Sequence, residues 1–223
     1  MIEDLTGLPL DLPDLDALTD AGGQMDSRRM STLFGVEVFA LASRETASKV
    51  ATFDLRKVKV ATDCIKRLPA PKEYIHFVVG QEFAGFDLLP AIADLAGGTF
   101  KRLYLTTLGF SRDNIAQIQM LIDAGKIEPK NFKILCADFF RRADVALFEI
   151  GKLQAEQNGY GWRSFRNHTK LVLAEIGRKF YVVESSANLR SCHNIEQFVM
   201  TQSRQLFDFH AGWLEMVWKE SKG

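Results

Sequence analysis

Residues 168–196 read HTKLVLAEIGRKFYVVESSANLRSCHNIE. Successive side chains of a strand point to opposite faces, so His168 and Lys170 share one face, with Thr169, Leu171 and Leu173 on the other. A second apolar run, Lys179-Phe180-Tyr181-Val182-Val183, leads into Ser185-Ser186-Ala187-Asn188, and Asn194 and Glu196 open a third. Two strands joined at Ile176-Gly177-Arg178 would carry an imidazole, an ammonium and two short hydrogen-bonding side chains to one place. Such a set suits an anionic phosphate ester.

The chain before this stretch supplies a frame. Residues 75–79, 102–107 and 132–137 are apolar runs of strand length. Helical patterns separate them. One covers residues 88–96, with Pro90 in its first turn and Gly97-Gly98 at its end. A second is capped by Ser111, with Ile115, Ile118, Leu121 and Ile122 on one stripe. A third covers 144–157, with Val145, Phe148 and Leu153 expected toward the core. Residues 158–161 read as a turn. After the three closely spaced strands, 202–220 is expected as a closing helix with Leu206, Phe209, Trp213, Leu214 and Val217 on its apolar stripe. Strands separated by helices imply βαβ units. The expected fold class is therefore α/β: a mixed, largely parallel sheet with helices on both faces and an antiparallel end.

Pro69 and Pro71 mark the best internal boundary, dividing an N-terminal extension, 1–70, from a domain over 72–221. Residues 1 to about 30 are rich in Asp, Leu, Pro and Gly. The two prolines Pro9 and Pro13 argue against a continuous helix, so this part reads as an extended or partly disordered arm that packs as a strap, the alternative being an acidic cover over a basic site. Residues 31–60 read as a strand or short helix followed by a hairpin, with Phe53-Asp54-Leu55 and Val58-Lys59-Val60 alternating like half-buried strands. Residues 61–68 have helical content.

At 47% apolar and 25% charged, the 223 residues have the make-up of a soluble globular protein. Lys plus Arg equals Asp plus Glu at 28 each, so the whole-chain field draws neither nucleic acid nor an anionic membrane. Locally the balance tips. Between Asn158 and His193, Arg163, Arg166, Lys170, Arg178, Lys179 and Arg190 stand against Glu175 and Glu184, which favours an anionic ligand. The 3 cysteines show no CxxC spacing and suggest neither a disulfide framework nor a zinc site. No apolar run approaches the roughly 20 residues of a membrane helix, and the first residues are acidic rather than a basic leader. A cytoplasmic protein without membrane contact is expected.

His168-x-Lys170, four residues to Glu175, then Ser185-Ser186-x-Asn188 resembles the HxKxxxxD…GSxN signature of the phospholipase D superfamily. Asn194-Ile195-Glu196 resembles the Asn-x-Glu that follows it in many members. Glu175 stands where the family has Asp, and Ser185 where it has Gly. The order of elements over 72–221 also resembles one repeat of that fold. The resemblance implies a phosphodiesterase that needs no metal and no other cofactor. His168 attacks phosphorus and carries a phosphohistidine, Lys170 and Asn188 hold the phosphoryl oxygens with Ser186 beside them, and Glu196 fixes the imidazole tautomer. Glu175, Ser185 and Asn194 take supporting positions.

The motif occurs once, since His76, His193 and His210 have no lysine two residues later. Single-copy members pair two protomers, so the resemblance implies a homodimer with the site on its twofold axis. Small members of this kind are commonly nucleases. DNA or RNA is thus the expected substrate and partner, with Arg163 and Arg166 as phosphate contacts. Tyr160, Trp162 and Phe165, interleaved with those arginines, read either as a base-stacking platform or as an ordinary hydrophobic edge. Trp213 and Trp218 read as core and dimer packing, and His193 as a solvated loop residue. Two other functions stay open. One is a catalytically weak or inactive nucleic-acid-binding or structural module of the same fold. The other is a lipid phosphodiesterase, against which stands the lack of an amphipathic basic helix.

Overall fold

The computed structural model describes residues 55–80, 83–190 and 194–221. In chain order these form α1 (Leu55–Ile65), β1 (Tyr74–Val79), α2 (Leu88–Ala96), β2 (Phe100–Thr107), α3 (Arg112–Asp123), β3 (Phe132–Ala137), α4 (Asp138–Ala143), α5 (Val145–Asn158), β4 (Gly161–Phe165), β5 (Leu171–Ile176), β6 (Lys179–Ser185), β7 (Glu196–Gln202) and α6 (Arg204–Glu220). Single 3-10 turns occupy Gly85–Asp87 and Pro129–Asn131. The expected N-terminal arm, the segment 31–54 with Phe53, and His193 lie outside the described residues.

The strands join one sheet in the order β1-β7-β6-β5-β2-β3-β4. Only β2–β3 and β3–β4 pair in parallel. The β1–β7, β2–β5, β5–β6 and β6–β7 pairs are antiparallel. The sheet is therefore mixed and mostly antiparallel, which corrects the expectation of a largely parallel one. Placement explains the difference. The strands β1 to β4 do run the same way, as helical crossovers require. However, the β5-β6-β7 meander inserts between β1 and β2, so each of them meets an oppositely directed neighbour. One consequence matters for the site: the ends of β2, β3, β4 and β6 and the starts of β5 and β7 lie along one edge of the sheet.

Helices cover both faces, as the pattern implies. On one face Leu105, Ile134, Val172 and Val183 pack in a core that also holds Val58 and Ala61 of α1, Ile92 of α2, Ile118 of α3 and Phe148 of α5. On the other, Leu135, Leu173 and Val182 lie under Phe207, Ala211 and Leu214 of α6. Local chemistry sets the helix ends. Ser111 and Asn114 exchange side-chain-to-backbone hydrogen bonds of 3.1 and 3.0 Å at the start of α3. Gly97, at φ 63°, closes α2 in the left-handed region that glycine enters freely.

Several expectations fail, and for the helical stripes the reason is that apolar spacing does not say which side a neighbour takes. Val58-Lys59-Val60 lies within α1, not a strand, and Val58, Ala61 and Ile65 turn inward at helical spacing. This core therefore starts N-terminal to residue 72. Val145 and Leu153 of α5 face outward, leaving Phe148 and Leu147 to pack inward. Phe209 of α6 is 65% exposed, and Phe207 takes the buried position instead. The closing helix starts at Arg204 because β7 runs on to Gln202. Tyr160 and Trp162 are buried. Trp162 packs on Phe110 and Phe148, with ring centroids 5.0 and 6.0 Å apart, so these rings belong to the hydrophobic core and not to a base-stacking platform. Trp213 donates to His210 Nδ1 at 3.0 Å, and His210 Nε2 lies 3.1 Å from Glu184, tying α6 to β6.

Candidate active site

The site is built from two loops at that edge of the sheet. One leads from β4 into β5 and carries His168 and Lys170. The other follows β6 and carries Ser185, Ser186 and Asn188. Glu196 opens β7 beside it. Both loops are fastened to the end of β2, where Thr106 and Thr107 are fully buried. Consecutive strand residues point to opposite faces, so each threonine serves a different loop.

Thr106 serves the histidine loop. Its Oγ1 accepts from Leu171 N at 2.9 Å and lies 2.9 Å from Thr169 Oγ1. Lys170 folds back beside His168: its ammonium donates to the His168 carbonyl at 2.8 Å and lies 3.4 Å from the imidazole Nδ1. Partial burial lowers the affinity of Lys170 for its proton, and the carboxylate of Glu196 opposes that shift.

Thr107 serves the asparagine loop. Its Oγ1 accepts from Leu189 N at 3.2 Å and lies 3.4 Å from Asn188 Oδ1. Asn188 Oδ1 also accepts from Leu108 N at 3.1 Å. With the amide oxygen so engaged, its Nδ2 is the donor left for a ligand. From the other side, Phe86 N donates to Leu189 O at 3.1 Å, and a Cβ on Gly85 would stand 2.9 Å from Asn188 O. Glycine is required there by close approach.

Ser186 donates through a short hydrogen bond to Glu196 and accepts from Gln197 N at 3.1 Å. Glu196 is therefore held by Ser186 and makes no hydrogen bond to His168, whose ring contacts Lys170 instead. Ser185 donates from its hydroxyl to Ala187 O at 3.1 Å, and its backbone N–H donates to Lys170 O at 3.2 Å, which joins the two loops. Asn194 is exposed just ahead of β7.

Other expected residues lie elsewhere. Glu175 sits toward the far end of β5, paired with Arg102 of β2 beneath α6, and the Arg102 guanidinium stands 4.8 Å from the Phe207 ring centroid. Arg163 points to the α6 face: Nη1 donates to Trp218 O at 2.6 Å, and the guanidinium stands 4.9 Å over that indole. Arg178 and Lys179 belong to the β5–β6 hairpin at the opposite edge. Of the six local cations, Arg166, Lys170 and Arg190 remain at the site edge, with Arg166 and Arg190 exposed. Asn167, Thr106, Thr107 and Gly85 escaped sequence reasoning. The available signal was two threonines closing a strand at the carboxyl end of a sheet, where α/β proteins bind ligands. Among the described residues, no three His, Cys, Asp or Glu side chains are grouped so as to hold a metal ion.

No protein-family model matches the chain, and no curated protein matches it in sequence. Solved structures do resemble it. Nuc from Salmonella typhimurium, a phospholipase D family member, matches over 67% of this chain and 97% of its own, at 16% identity and a TM-score of 0.49. The archaeal chromatin protein TrmBL2 matches over 66% of this chain and 53% of its own, at 14% identity and 0.43. Phosphatidylserine synthase of Haemophilus influenzae matches over 67% of this chain and 39% of its own, at 18% identity and 0.42. Identities of this size concern fold alone, and the chain spans about half of the second of these proteins and less of the third. Among the described residues no helix is long and apolar enough to cross a membrane.

Proposed function

We propose that this chain is a metal-independent phosphodiesterase, a cytoplasmic nuclease that cleaves DNA or RNA through a phosphohistidine on His168. The site is completed by the same edge of a second copy. The observation that carries this reading is the meeting of His168, Lys170, Ser186, Asn188 and Glu196 at one sheet edge, with the Lys170 ammonium 3.4 Å from the imidazole Nδ1. Exposed Arg166 and Arg190 at the rim favour a polyanion over an isolated phosphate ester.

An ammonium only donates hydrogen bonds, so its contact at Nδ1 leaves the imidazole proton on Nε2. Attack through Nε2 needs the opposite tautomer. A bound phosphodiester supplies the change by drawing Lys170 onto a phosphoryl oxygen, beside Asn188 Nδ2, and Nδ1–H then finds Glu196. The Nε2 lone pair forms the N–P bond as the P–O bond to the leaving oxygen breaks. That oxygen takes a proton from His168 of the second copy. Water then attacks phosphorus, gives its proton to that second imidazole, and releases His168 with a phosphate monoester. A second reading, a nucleic-acid-binding module with little turnover, is favoured by Glu196 resting on Ser186 and not on His168.

Hydrolysis of single- and double-stranded DNA and RNA in excess EDTA, by wild type and His168→Ala, decides between them. The enzyme reading predicts EDTA-resistant cleavage, reduced about 1,000-fold or more in the variant. Equal inertness of both proteins, with nucleic acid still bound, selects the module. Cleavage abolished by EDTA contradicts the histidine mechanism.

A further inference from the structure

Asn167 lies immediately before His168 and outside the His-x-Lys signature. Its side-chain amide joins three segments. Nδ2 donates to Thr107 O at 3.2 Å and Leu135 O at 3.3 Å, toward the ends of β2 and β3. Oδ1 accepts from Thr169 N at 3.0 Å and from Thr169 Oγ1 at 2.6 Å. This orientation is forced, because two carbonyls can only accept and a backbone N–H can only donate. Each threonine hydroxyl has one proton. The 2.6 Å contact takes that of Thr169, so Thr106 supplies the proton shared across the 2.9 Å gap between the two hydroxyls. An ordered chain results, from Leu171 N–H through Thr106, Thr169 and Asn167 to the carbonyls of β2 and β3. It grips the backbone on both sides of His168, whose own side chain is exposed and, among the described residues, has Lys170 as its polar contact.

We propose that Asn167, acting through Thr169 and the buried Thr106, is a positioning residue that fixes the His168 backbone and so the direction of the imidazole. This rests on His168 as the nucleophile. A nucleophile on an exposed loop has no packing to hold its geometry, and displacement of about 1 Å costs on the order of 100-fold in rate. Asn167→Asp loses the grip as Asn167→Ala does, since a carboxylate cannot donate to the Thr107 and Leu135 carbonyls.

The test compares full-length wild type, Asn167→Ala, Asn167→Asp, Thr106→Val and Thr106→Ser. Three quantities are read: kcat and KM on bis(p-nitrophenyl) phosphate, the melting temperature, and imidazole signals from 15N-histidine-labelled protein. Positioning predicts kcat lower by about 10- to 100-fold in both Asn167 variants and in Thr106→Val, KM changed by less than about threefold, and most of the rate returned in Thr106→Ser. The His168 signals shift in the impaired variants and those of His210 do not. A lower melting temperature with wild-type kcat and unmoved His168 signals overturns the proposal. If Asn167→Ala does not fold, Thr106→Ser against Thr106→Val makes the same comparison with a smaller change. Should the wild type cleave no phosphodiester, the nucleophile reading fails, and unmoved His168 signals in Asn167→Ala then overturn the positioning role by themselves.

Discussion

At Lys170 the proposed mechanism ties the protonation of one side chain to catalysis. Burial lowers its pKa from the ordinary 10.5, with Glu196 opposing. The charged form, which grips phosphate in the proposed mechanism, exists below the lowered value and is lost as pH rises through it. The alkaline limb of kcat/KM should therefore fall below pH 10.5, and in Lys170→Arg it should move beyond the accessible range, because guanidinium keeps its proton. A pH–rate profile of both proteins checks this. Glu175 separates motif from chemistry. Paired with Arg102 under α6 and remote from His168, it should act on stability: Glu175→Gln should lower stability by about 1–3 kcal/mol in urea titration and leave kcat at wild type. Strand parity in the sequence foretold neither this nor the fate of Arg163. Parity tells which residues share a face, but not that α6 packs on that face and takes Arg163 and Glu175 under it.

At the scale of elements, the strand–helix alternation was legible because each element carries its own period, and the place of Asn188 just after a strand followed from it. His168 and Lys170, expected on a strand, instead lie in the loop before β5, which starts at Leu171. The sheet order was not legible, since the pairing of β1 with β7 joins residues far apart in sequence. The same holds for the grip of Asn167 and Thr107, which runs through backbone groups of other strands that no local pattern marks. The Gly85–Asp87 turn gives a test. Alanine at Gly85 pushes on Asn188 O, so Gly85→Ala should lower kcat about tenfold, by displacing the Asn188 amide, as read by steady-state kinetics. Between α1 and β1, Arg67 holds Glu73 by hydrogen bonds of 2.6 and 2.5 Å, and Ala70 N–H adds another of 2.8 Å. The Glu73 carboxyl is thereby lowered from 4.5 to about 2. A depressed carboxyl stabilises the fold above its unfolded value and loses that contribution as pH falls from about 4.5 toward 2. Thermal melts of Glu73→Gln should accordingly lose part of the acid dependence in that window, more so at low salt.

The whole molecule has neutral net charge, and folding narrows the basic stretch of the sequence to a few cations at the edge where the loops meet. That edge offers one imidazole, one ammonium and one asparagine donor, with no second histidine beside them among the described residues. On the proposed two-copy site, activity per protomer should rise with protein concentration through the dimerisation range. The direct test is a search for the covalent intermediate. Wild type and His168→Ala are mixed with substrate in EDTA, quenched in alkaline denaturant, which preserves phosphoramidates, and mapped by mass spectrometry. A phosphoryl adduct is expected on the His168 peptide of the wild type and none in the variant. Turnover by the wild type with His168 unmodified throughout would contradict the phosphohistidine mechanism.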